Sequence, residues 1–480
     1  MVCSSSTSCG LHITHNILRT CIKERWMSAR LMGRLALLLC MSSCASKTYL
    51  LPLGNEDFYD SSANETVVDV AILQNVQSVH FEAIQSFDIV TPEGRYLARD
   101  FSAGEWKAQR RKNEVILTSG SGQFIIPFRA YLIFDSFLLS DVPVGTGFHW
   151  ERKTSRRYAG RLSFAGAGSR KMDVINTIEL ETYVQGVVPG EMPGSFPVEA
   201  LKAQAIAARS EVLRKLVRGN HHLTFDICAT VHCQVYTGFQ NDFSKSSEAV
   251  LATKGMHLSL DGEIPNATYT GVCGGHTENN ENVWEGEAQQ HLRGIIDLDA
   301  RPDLLQGALK NDDVVEKWVN NNIPVLCNTD NDSIPSWLGY AKKYFRWSRS
   351  FTRQQLENSI ASATGKKIGR LKELKVLARG VSGRISRLEV IGTRSSFVIE
   401  KELAIRRALD KDALFSSCFF IKEERRGGSL PDSFVFNGAG WGHGVGMCQV
   451  GAAVMALRHA TYIDILKHYY SGVEIVDLLE

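Results

Sequence analysis

Residues 437–446 read NGAGWGHGVG, and this stretch is the starting point for interpreting the fold. Every second residue from Gly438 to Gly446 is glycine, with Trp441, His443 and Val445 among the residues between them. Glycine weakens a strand because it gives the sheet no side chain and loses more backbone entropy on folding. The pattern predicts an extended segment with one bare face. We interpret it as the wall of a binding cleft; a close crossing of two backbones is the alternative.

Nucleotide and nucleic-acid binding are both disfavoured by the sequence. The five glycines lack the G-x-G-x-x-G spacing of a dinucleotide site, and Gly446 is followed by Met447 and Cys448 rather than by the Lys-Ser or Lys-Thr of a phosphate loop. The net charge of +2 is spread over 480 residues without a basic block. No nucleic-acid partner is therefore expected.

The N-terminal region has the layout of an export signal. Arg30 and Arg34 precede the short apolar run 35–41, and small residues follow, so 1–43 is interpreted as a signal peptide. Residues 41–44, MSSC, resemble a bacterial lipoprotein signal that would leave Cys44 lipidated; a plain signal peptide is the alternative. The polar, turn-rich stretch 44–66 is predicted to be a flexible tether. The protein is expected in the periplasm or cell envelope, anchored to the membrane by lipid.

The remaining chain, 67–480, predicts an α+β fold. Short β-like runs come first, including the stretch 172–188, and helices are grouped around them. A β-rich core with helices around a substrate cleft is expected, in two lobes, with 300–430 as the second lobe or an insertion. Four local signals support particular elements: a helix over 197–217, a capping box at 352–355, a strand pair around 382–384, and helices over 447–459 and 461–470.

Glu191 is the sharpest candidate for chemistry. It lies between Pro189 and Pro193, in a predicted turn just before the alanine-rich helix, with Val187, Val188 and Met192 among its neighbours. Apolar surroundings raise the pKa of a carboxyl group above its usual value of about 4.3, and this keeps a proton available for donation. The alternative is an acidic residue placed near a helix N-terminus for its dipole.

A cysteine- and histidine-rich segment is the second candidate. His222, Cys228, His232 and Cys233 lie within twelve residues and offer two thiolates and one or two imidazoles. We consider His222, Cys228 and Cys233 as ligands of a structural zinc ion; a Cys228–Cys233 disulfide or two buried thiols are the alternatives.

The third candidate, GGHTEN at 274–279, brings a His and a Glu to the end of a β-like run. His276 and Glu278 either line the cleft or hold a loop.

Taken together, these segments resemble the sporulation stage II protein D (SpoIID) family, also described as the amidase-enhancer or LytB family. They occur in family order and span most of the chain after the signal. The matching segments are 175–193, 199–210, 228–239, 272–284, 382–384, 434–456 and 465–472. The departures are Cys448, where the family usually has serine, and the N-terminal tether.

The resemblance implies a lytic transglycosylase that cuts peptidoglycan between N-acetylmuramic acid and N-acetylglucosamine, preferring glycan strands denuded of stem peptides. It implies Glu191 as the single catalytic acid and base, no required cofactor, and a zinc ion in some relatives only. Residues assigned to substrate binding from the composition of the cleft are Gln204, Arg209, Tyr236, His276, Trp441, His443 and Gln449. The rival hypotheses are a non-catalytic glycan-binding protein that activates an N-acetylmuramoyl-L-alanine amidase, and a zinc hydrolase.

Overall fold

The computed structural model describes residues 66–168, 170–219, 222–238, 244–298, 309–330 and 334–478, together with the backbone of 48–50. The predicted signal peptide, Cys44 and most of the predicted tether lie outside these residues. Within the described part of the chain, no helix combines the length and the apolar character needed to cross a membrane.

The strands precede most of the helices, as the sequence predicts for an α+β fold. The strands are β1 (Thr48–Leu50), β2 (Val67–Val76), β3 (Ser78–Ala83), β4 (Phe87–Val90), β5 (Tyr96–Phe101), β6 (Gly104–Arg111), β7 (Glu114–Ser119), β8 (Gly122–Pro127), β9 (Tyr131–Val144), β10 (Arg152–Ala167), β11 (Lys171–Glu179), β12 (Ile227–Cys228), β13 (Met256–Ser259), β14 (Tyr269–Thr270), β15 (Arg346–Thr352), β16 (Leu371–Arg379), β17 (Ile385–Gly392), β18 (Ser396–Glu400), β19 (Phe419–Glu424), β20 (Ser433–Ala439), β21 (Met447–Cys448) and β22 (Glu474–Asp477). The helices are α1 (Leu180–Glu191), α2 (Val198–Arg218), α3 (Lys245–Leu251), α4 (Asn280–Val283), α5 (Asp312–Asn320), α6 (Lys342–Phe345), α7 (Arg353–Thr364), α8 (Glu402–Leu409), α9 (Gln449–Leu457) and α10 (Tyr462–Tyr469), with a 3-10 helix at Ser336–Ala341.

A large mixed sheet carries the first half of the fold. Its strand order is β1-β8-β7-β6-β3-β9-β10-β11-β2-β12, and β4 and β5 continue it from β9. The pairs β1–β8 and β2–β12 are parallel, and the other pairs in this sheet are antiparallel. Strand β11 is buried on both faces over seven successive residues, 172–178, because helices and sheet enclose it. The α+β prediction is confirmed.

Helix α2 is the centre of the helical layer. Its interior positions are rich in alanine and almost completely buried, so that α1, α3, α9 and α10 all pack against it. The predicted helix over 197–217 is confirmed to within one residue at each end. The predicted β-like run up to 188 is wrong at its end, since 180–191 form α1. Burial of Tyr183, Val184, Val187 and Val188 against the core outweighs the β-propensity of these residues.

A second hydrophobic core is formed by residues between 347 and 436. It includes Leu356 and Ile360 of α7, Leu388 of β17 and Phe436 of β20. The capping box is confirmed, because the Thr352 hydroxyl accepts from the Gln355 N–H and the Gln355 side chain accepts from the Thr352 N–H. The predicted strand pair is β16–β17, and the two terminal helices are α9 and α10. The boundaries of the predicted lobes stay a prediction.

Candidate functional site

Glu191 is the last residue of α1 rather than part of a turn before α2. Two glycines allow the neighbouring segment 234–238 to approach α1 closely. A Cβ on Gly186 would lie 2.4 Å from the Tyr236 ring, and one on Gly190 would lie 2.5 Å from the Val235 carbonyl oxygen. This close packing brings the Val235 N–H to 2.7 Å from Glu191 Oε1, to which it donates a hydrogen bond.

The surroundings of Glu191 are those of a carboxyl group kept partly protonated. Burial raises its pKa to about 7, and hydrogen bonds from the Val235 N–H, Gln449 and Tyr269 oppose this rise only in part. The predicted rise in pKa is confirmed. The residue as a whole is half-buried, so part of its surface remains accessible. Among the described groups that act on this pKa there is no second carboxylate.

A chain of buried polar side chains surrounds this carboxyl group. The Gln449 amide donates to Gln204 Oε1 at 3.2 Å. The Tyr183 hydroxyl donates to Gln234 Oε1 at 2.8 Å, and the Gln234 amide donates to the Tyr269 hydroxyl at 3.1 Å. Gln204 and Gln449 were predicted from the sequence as site residues, whereas Tyr183, Gln234 and Tyr269 were not. Tyr183 and Gln234 lie within the family-like segments 175–193 and 228–239, which was the available signal, whereas Tyr269 lies outside these segments.

The glycine-rich segment 437–446 lies next to this network, but the reason for its glycines differs from the prediction. Residues 437–439 end strand β20, but Gly440, Gly442, Gly444 and Gly446 all have positive φ, between 73° and 99°, so the segment after Ala439 is not an extended strand with a bare face. Added Cβ atoms would meet protein: the Thr268 carbonyl oxygen 1.9 Å from Gly446, and the Arg384 guanidinium 2.3 Å from Gly444. The close crossing of backbones, stated above as the alternative, is what the glycines permit.

We expect Gly446→Ala to lower the free energy of unfolding by about 3 kcal/mol or more. A left-handed conformation costs a non-glycine residue about 1–2 kcal/mol, and the new methyl group would also displace the Thr268 backbone. Gly262→Ala is the matched control, since Gly262 has φ +82° but open space around it, and only the conformational cost applies. Urea unfolding measures the loss in the free energy of unfolding of each variant. Equal losses in the two variants would contradict the close-crossing explanation.

Trp441 and His443 keep part of their surface accessible. The Trp441 ring stacks on Tyr344 with a centroid distance of 4.3 Å and an interplanar angle of 15°. The His443 ring lies 4.8 Å from Trp284, which is 40% exposed. Burial, together with Arg384 and Arg406, lowers the pKa of His443 to about 3. Its neutral Nδ1 accepts a hydrogen bond from the Val445 N–H at 3.0 Å, so His443 acts as a hydrogen-bonding group and not as a proton donor near neutral pH.

The other predicted substrate-binding residues are placed in the interior. Arg209 is fully buried and forms a two-pronged ion pair with Glu181, at 2.7 and 2.8 Å. Tyr236 is also fully buried, and its hydroxyl donates to Asn176 Oδ1 at 2.9 Å. His276 is buried, with Nδ1 2.7 Å from the Thr277 carbonyl oxygen. These contacts give the three side chains a role in holding the fold around the site.

Glu278 holds a loop, which was one of the two interpretations of its motif. Its buried carboxylate accepts hydrogen bonds from the side chains of Asn282 and Ser382 and from the backbone N–H groups of Asn279, Val381 and Ser382, at 2.6–3.1 Å. A carboxylate with this many donors is fixed in place by the hairpin between β16 and β17. It does not lie among the groups around Glu191.

The cysteine- and histidine-rich segment forms a compact group, here called the outer cluster: His222, Cys228, His232 and Cys233. One ligand atom of each residue lies within 4.8 Å of all the others. The Cys233 sulfur is 3.6 Å from His222 Nε2 and 3.5 Å from His232 Nδ1. Neither cysteine is in a disulfide, and a hydrogen bond from Cys233 holds the pKa of Cys228 well below its ordinary value. Two sulfurs and two imidazoles in this arrangement fit a tetrahedral Zn²⁺, with His232 as a fourth ligand beyond the three predicted.

Comparison with known proteins agrees with the family resemblance of these segments. A family model described as "Stage II sporulation protein" matches residues 168–259, and one described as a domain of unknown function matches 278–446. An uncharacterized protein of Brachyspira hyodysenteriae is 30% identical over 320 residues, covering 67% of this chain and 72% of that protein.

Two curated relatives with informative names come from Bacillus subtilis. Stage II sporulation protein D is 28% identical, over 63% of this chain and 75% of its own length. The amidase enhancer is 26% identical, over 60% of this chain and 39% of its own length. The stage II sporulation family model covers the segment that carries Glu191 and the outer cluster. The chain belongs to the stage II sporulation protein D and amidase-enhancer family.

Proposed function

We propose that this protein is a lytic transglycosylase that cleaves the glycan strands of peptidoglycan between N-acetylmuramic acid and N-acetylglucosamine. The observation that carries the proposal is Glu191 at the end of α1, a half-buried residue whose carboxyl group has its pKa raised to about 7 by burial. The names of the relatives, a sporulation protein and an amidase enhancer, support a role connected with the cell envelope. The preferred substrate in this proposal is glycan that an amidase has stripped of its stem peptides.

A single acid is sufficient for this reaction. A glycoside hydrolase needs two carboxyl groups, because it must either activate a water molecule or form a covalent intermediate. In a transglycosylase, Glu191 donates its proton to the glycosidic oxygen as the bond from C1 of N-acetylmuramic acid breaks. The C6 hydroxyl of the same sugar then attacks C1 and returns its proton to Glu191. The products are a 1,6-anhydro sugar and a free hydroxyl, and no water is consumed.

Residues of the glycine-rich segment and its neighbours fit the remaining needs of the reaction. Partly exposed aromatic rings stack well on the apolar face of a sugar, and Trp284, whose ring lies 4.8 Å from His443, and the partly exposed Trp441 offer such surfaces. Neutral His443 and Gln449 are hydrogen-bonding groups suited to hydroxyl and acetamido groups. Because Gln449 also bonds Glu191, a substrate that engages Gln449 would alter the proton affinity of the acid.

The outer cluster is proposed to hold a structural zinc ion. Two thiolates and two imidazoles complete a tetrahedron, whereas catalytic zinc sites keep one position for water or substrate. A site with four protein ligands therefore disfavours the zinc-hydrolase hypothesis. The cluster is followed directly by Gln234 and Val235, which bond Tyr269 and Glu191. A zinc ion here would fix the segment that positions the acid.

Digestion of amidase-treated peptidoglycan sacs with the purified protein tests the proposal. We expect disaccharides with 1,6-anhydro ends, identified by mass spectrometry, and several-fold less product from untreated sacs. Products with reducing ends would instead indicate hydrolysis and contradict the mechanism.

The alternative function is a non-catalytic glycan-binding protein that activates an amidase, favoured by the name of one relative. It predicts no glycan fragments and faster release of stem peptides when the protein is mixed with an N-acetylmuramoyl-L-alanine amidase.

In either case, the proposal includes export and anchoring of the protein. It comprises the signal peptide over 1–43, the tether over 44–66 and the lipid anchor at Cys44. Globomycin, which blocks removal of lipoprotein signals, should then cause a larger precursor to accumulate.

A further inference from the structure

A second group of potential metal ligands lies in the core, far from the outer cluster in sequence. It is called the inner cluster here and consists of Cys273, Asp297, Cys327 and Cys448, all buried. One ligand atom of each residue lies within 4.8 Å of the others. The four residues come from four separate segments, which the fold brings together beneath the glycine-rich loop. None of the candidate roles described above uses them.

The distances within the inner cluster suit a bound ion better than a disulfide. The Cys273 sulfur is 3.5 Å from the Cys327 sulfur and 3.2 Å from Asp297 Oδ2. A disulfide requires about 2.05 Å between sulfurs. Around a tetrahedral zinc ion with Zn–S bonds of about 2.3 Å and a Zn–O bond of about 2.0 Å, the ligand atoms lie about 3.5–3.8 Å apart. The distances between these sulfur and oxygen atoms are therefore already close to those between the ligand atoms of a bound zinc ion.

Backbone N–H groups donate hydrogen bonds to the sulfurs. Such bonds stabilise the negative charge that a thiolate ligand carries. The Gly275 N–H donates to Cys273 Sγ at 3.3 Å, and the Cys273 N–H donates to Cys448 Sγ at 3.3 Å. Cys448 is also the N-cap of α9, where its sulfur accepts from the Gly451 N–H at 3.4 Å. Hydrogen bonds to ligand atoms and the positive end of a helix both stabilise a negative sulfur.

Asp297 is held in the orientation of a ligand by its own partners. The Tyr469 hydroxyl donates to Asp297 Oδ1 at 2.8 Å, and His468 Nε2 lies 3.5 Å from the same oxygen. The other oxygen, Oδ2, faces Cys273. Gly451 permits this packing, since a Cβ there would lie 2.1 Å from the Tyr469 hydroxyl and 2.7 Å from Asp297 Oδ2. One carboxylate oxygen is thus bonded by protein and the second faces the thiols.

We propose that the inner cluster is a structural zinc site with three cysteine ligands and one aspartate ligand, separate from the outer cluster. Soft thiolates select zinc over magnesium or calcium. Binding of Zn²⁺ displaces the protons of three thiols and leaves a net charge of −2, which the N–H donors, Tyr469 and the nearby Arg346 guanidinium offset. The ion would join the segment that follows β14, the loop at Asp297, Cys327 and the start of α9, and so fix Gln449 beside Glu191.

Substitution of single ligands of the inner cluster tests this proposal. Serine is nearly isosteric with cysteine, so Cys448→Ser should fold while losing one of the three sulfurs. The matched control is Cys418→Ser, which removes a buried free thiol outside both clusters. Asp297→Asn is a second variant that keeps the shape of the side chain. The full-length proteins are purified without reductant, dialysed against a competing chelator, and analysed for zinc per chain and for disulfides.

We expect Cys448→Ser and Asp297→Asn to retain one zinc ion per chain fewer than the wild type, and Cys418→Ser to retain the wild-type number. Cadmium-substituted wild type should give a ¹¹³Cd resonance typical of three sulfur ligands, which Cys448→Ser lacks. Equal zinc content in the wild type and both cluster variants overturns the proposal. Peptide mapping that finds Cys273 linked to Cys327 in the wild type also overturns it. Neither outcome depends on transglycosylase activity, so the proposed function is tested separately.

Discussion

Glu191→Gln is expected to reduce the release of anhydro-disaccharides from denuded peptidoglycan by about 10³- to 10⁴-fold. General acid–base catalysis contributes about 10²- to 10⁴-fold, and here one group acts both as the acid and as the base. Glutamine keeps an oxygen that can accept the hydrogen bond from the Val235 N–H, so the fold should be unchanged. Product release is measured by mass spectrometry. A variant that retains most of the activity would show that Glu191 is not the catalytic acid.

Glu181→Gln is the matched control for this substitution. Glu181 lies on the same helix but pairs with buried Arg209, and it is not among the groups that act on Glu191. We expect it to lower stability, with activity per folded molecule within a few-fold of the wild type. A comparable loss of activity in both variants would point to damage to α1 and not to removal of the acid.

The same carboxyl group makes activity and stability depend on pH in predictable directions. Proton donation needs the protonated acid, so activity should fall as pH rises above the Glu191 pKa of about 7. The pKa in the unfolded chain is about 4.3, so the folded protein binds this proton more tightly. Its contribution to stability is fully present below about pH 4 and is lost as pH rises through 7.

Glu191→Gln should therefore stabilise the protein increasingly with pH. We expect a gain relative to the wild type that grows by about 2–3 kcal/mol between pH 5 and pH 8. Urea unfolding at the two pH values measures it. A difference that does not change with pH would mean that the carboxyl has an ordinary pKa, and would remove the main argument for its role as an acid.

Loss of the outer cluster is expected to have the second largest effect. Zinc binding contributes about 10–16 kcal/mol to the folding of small zinc domains, and part of this should be lost in Cys233→Ser. The surrounding segment has little other structure: β12 is two residues long, and a small group around Phe225 and Cys228 packs beside it. We expect a drop in melting temperature of about 10 °C or more and the loss of one zinc ion per chain.

Activity should fall together with this drop in stability. Cys233 immediately precedes Gln234 and Val235, whose hydrogen bonds reach Tyr269 and Glu191. Without the Val235 N–H, the pKa of Glu191 should rise further, moving the alkaline limb of the pH profile upward. Cys418→Ser again provides the control. If Cys233→Ser had the same melting temperature, zinc content and pH profile as Cys418→Ser, the outer cluster would not stabilise this segment.

The sequence predicted those elements whose signals lie within a few residues of each other. The alanine-rich helix, the capping box at Thr352 and the β16–β17 hairpin are confirmed, because periodicity and capping are local properties. The family resemblance is confirmed by the comparisons for the same reason, since it rests on short segments in a fixed order. The candidate acid was also named from its immediate neighbours.

Predictions from the sequence were wrong where the local structure is determined by contacts with residues far away in the chain. The glycines of 437–446 suggested an open face, but Gly444 and Gly446 are glycine because Arg384 and Thr268 lie against them. The run up to Val188 suggested a strand, but burial against α2 and the sheet makes it a helix. Local propensity differs by fractions of a kcal/mol per residue, and tertiary burial outweighs it.

The sequence by itself determined the main local elements, the family, and the presence of an acid beside apolar residues. Only the tertiary structure decided what surrounds that acid and which cysteines meet. The Cys273 N–H and the Cys448 sulfur are 175 residues apart in the chain but 3.3 Å apart in space. Such an approach depends on the packing of whole strands and helices, and residue spacing carries no information about it. The pKa of Glu191 and the inner cluster both arise from contacts of this kind.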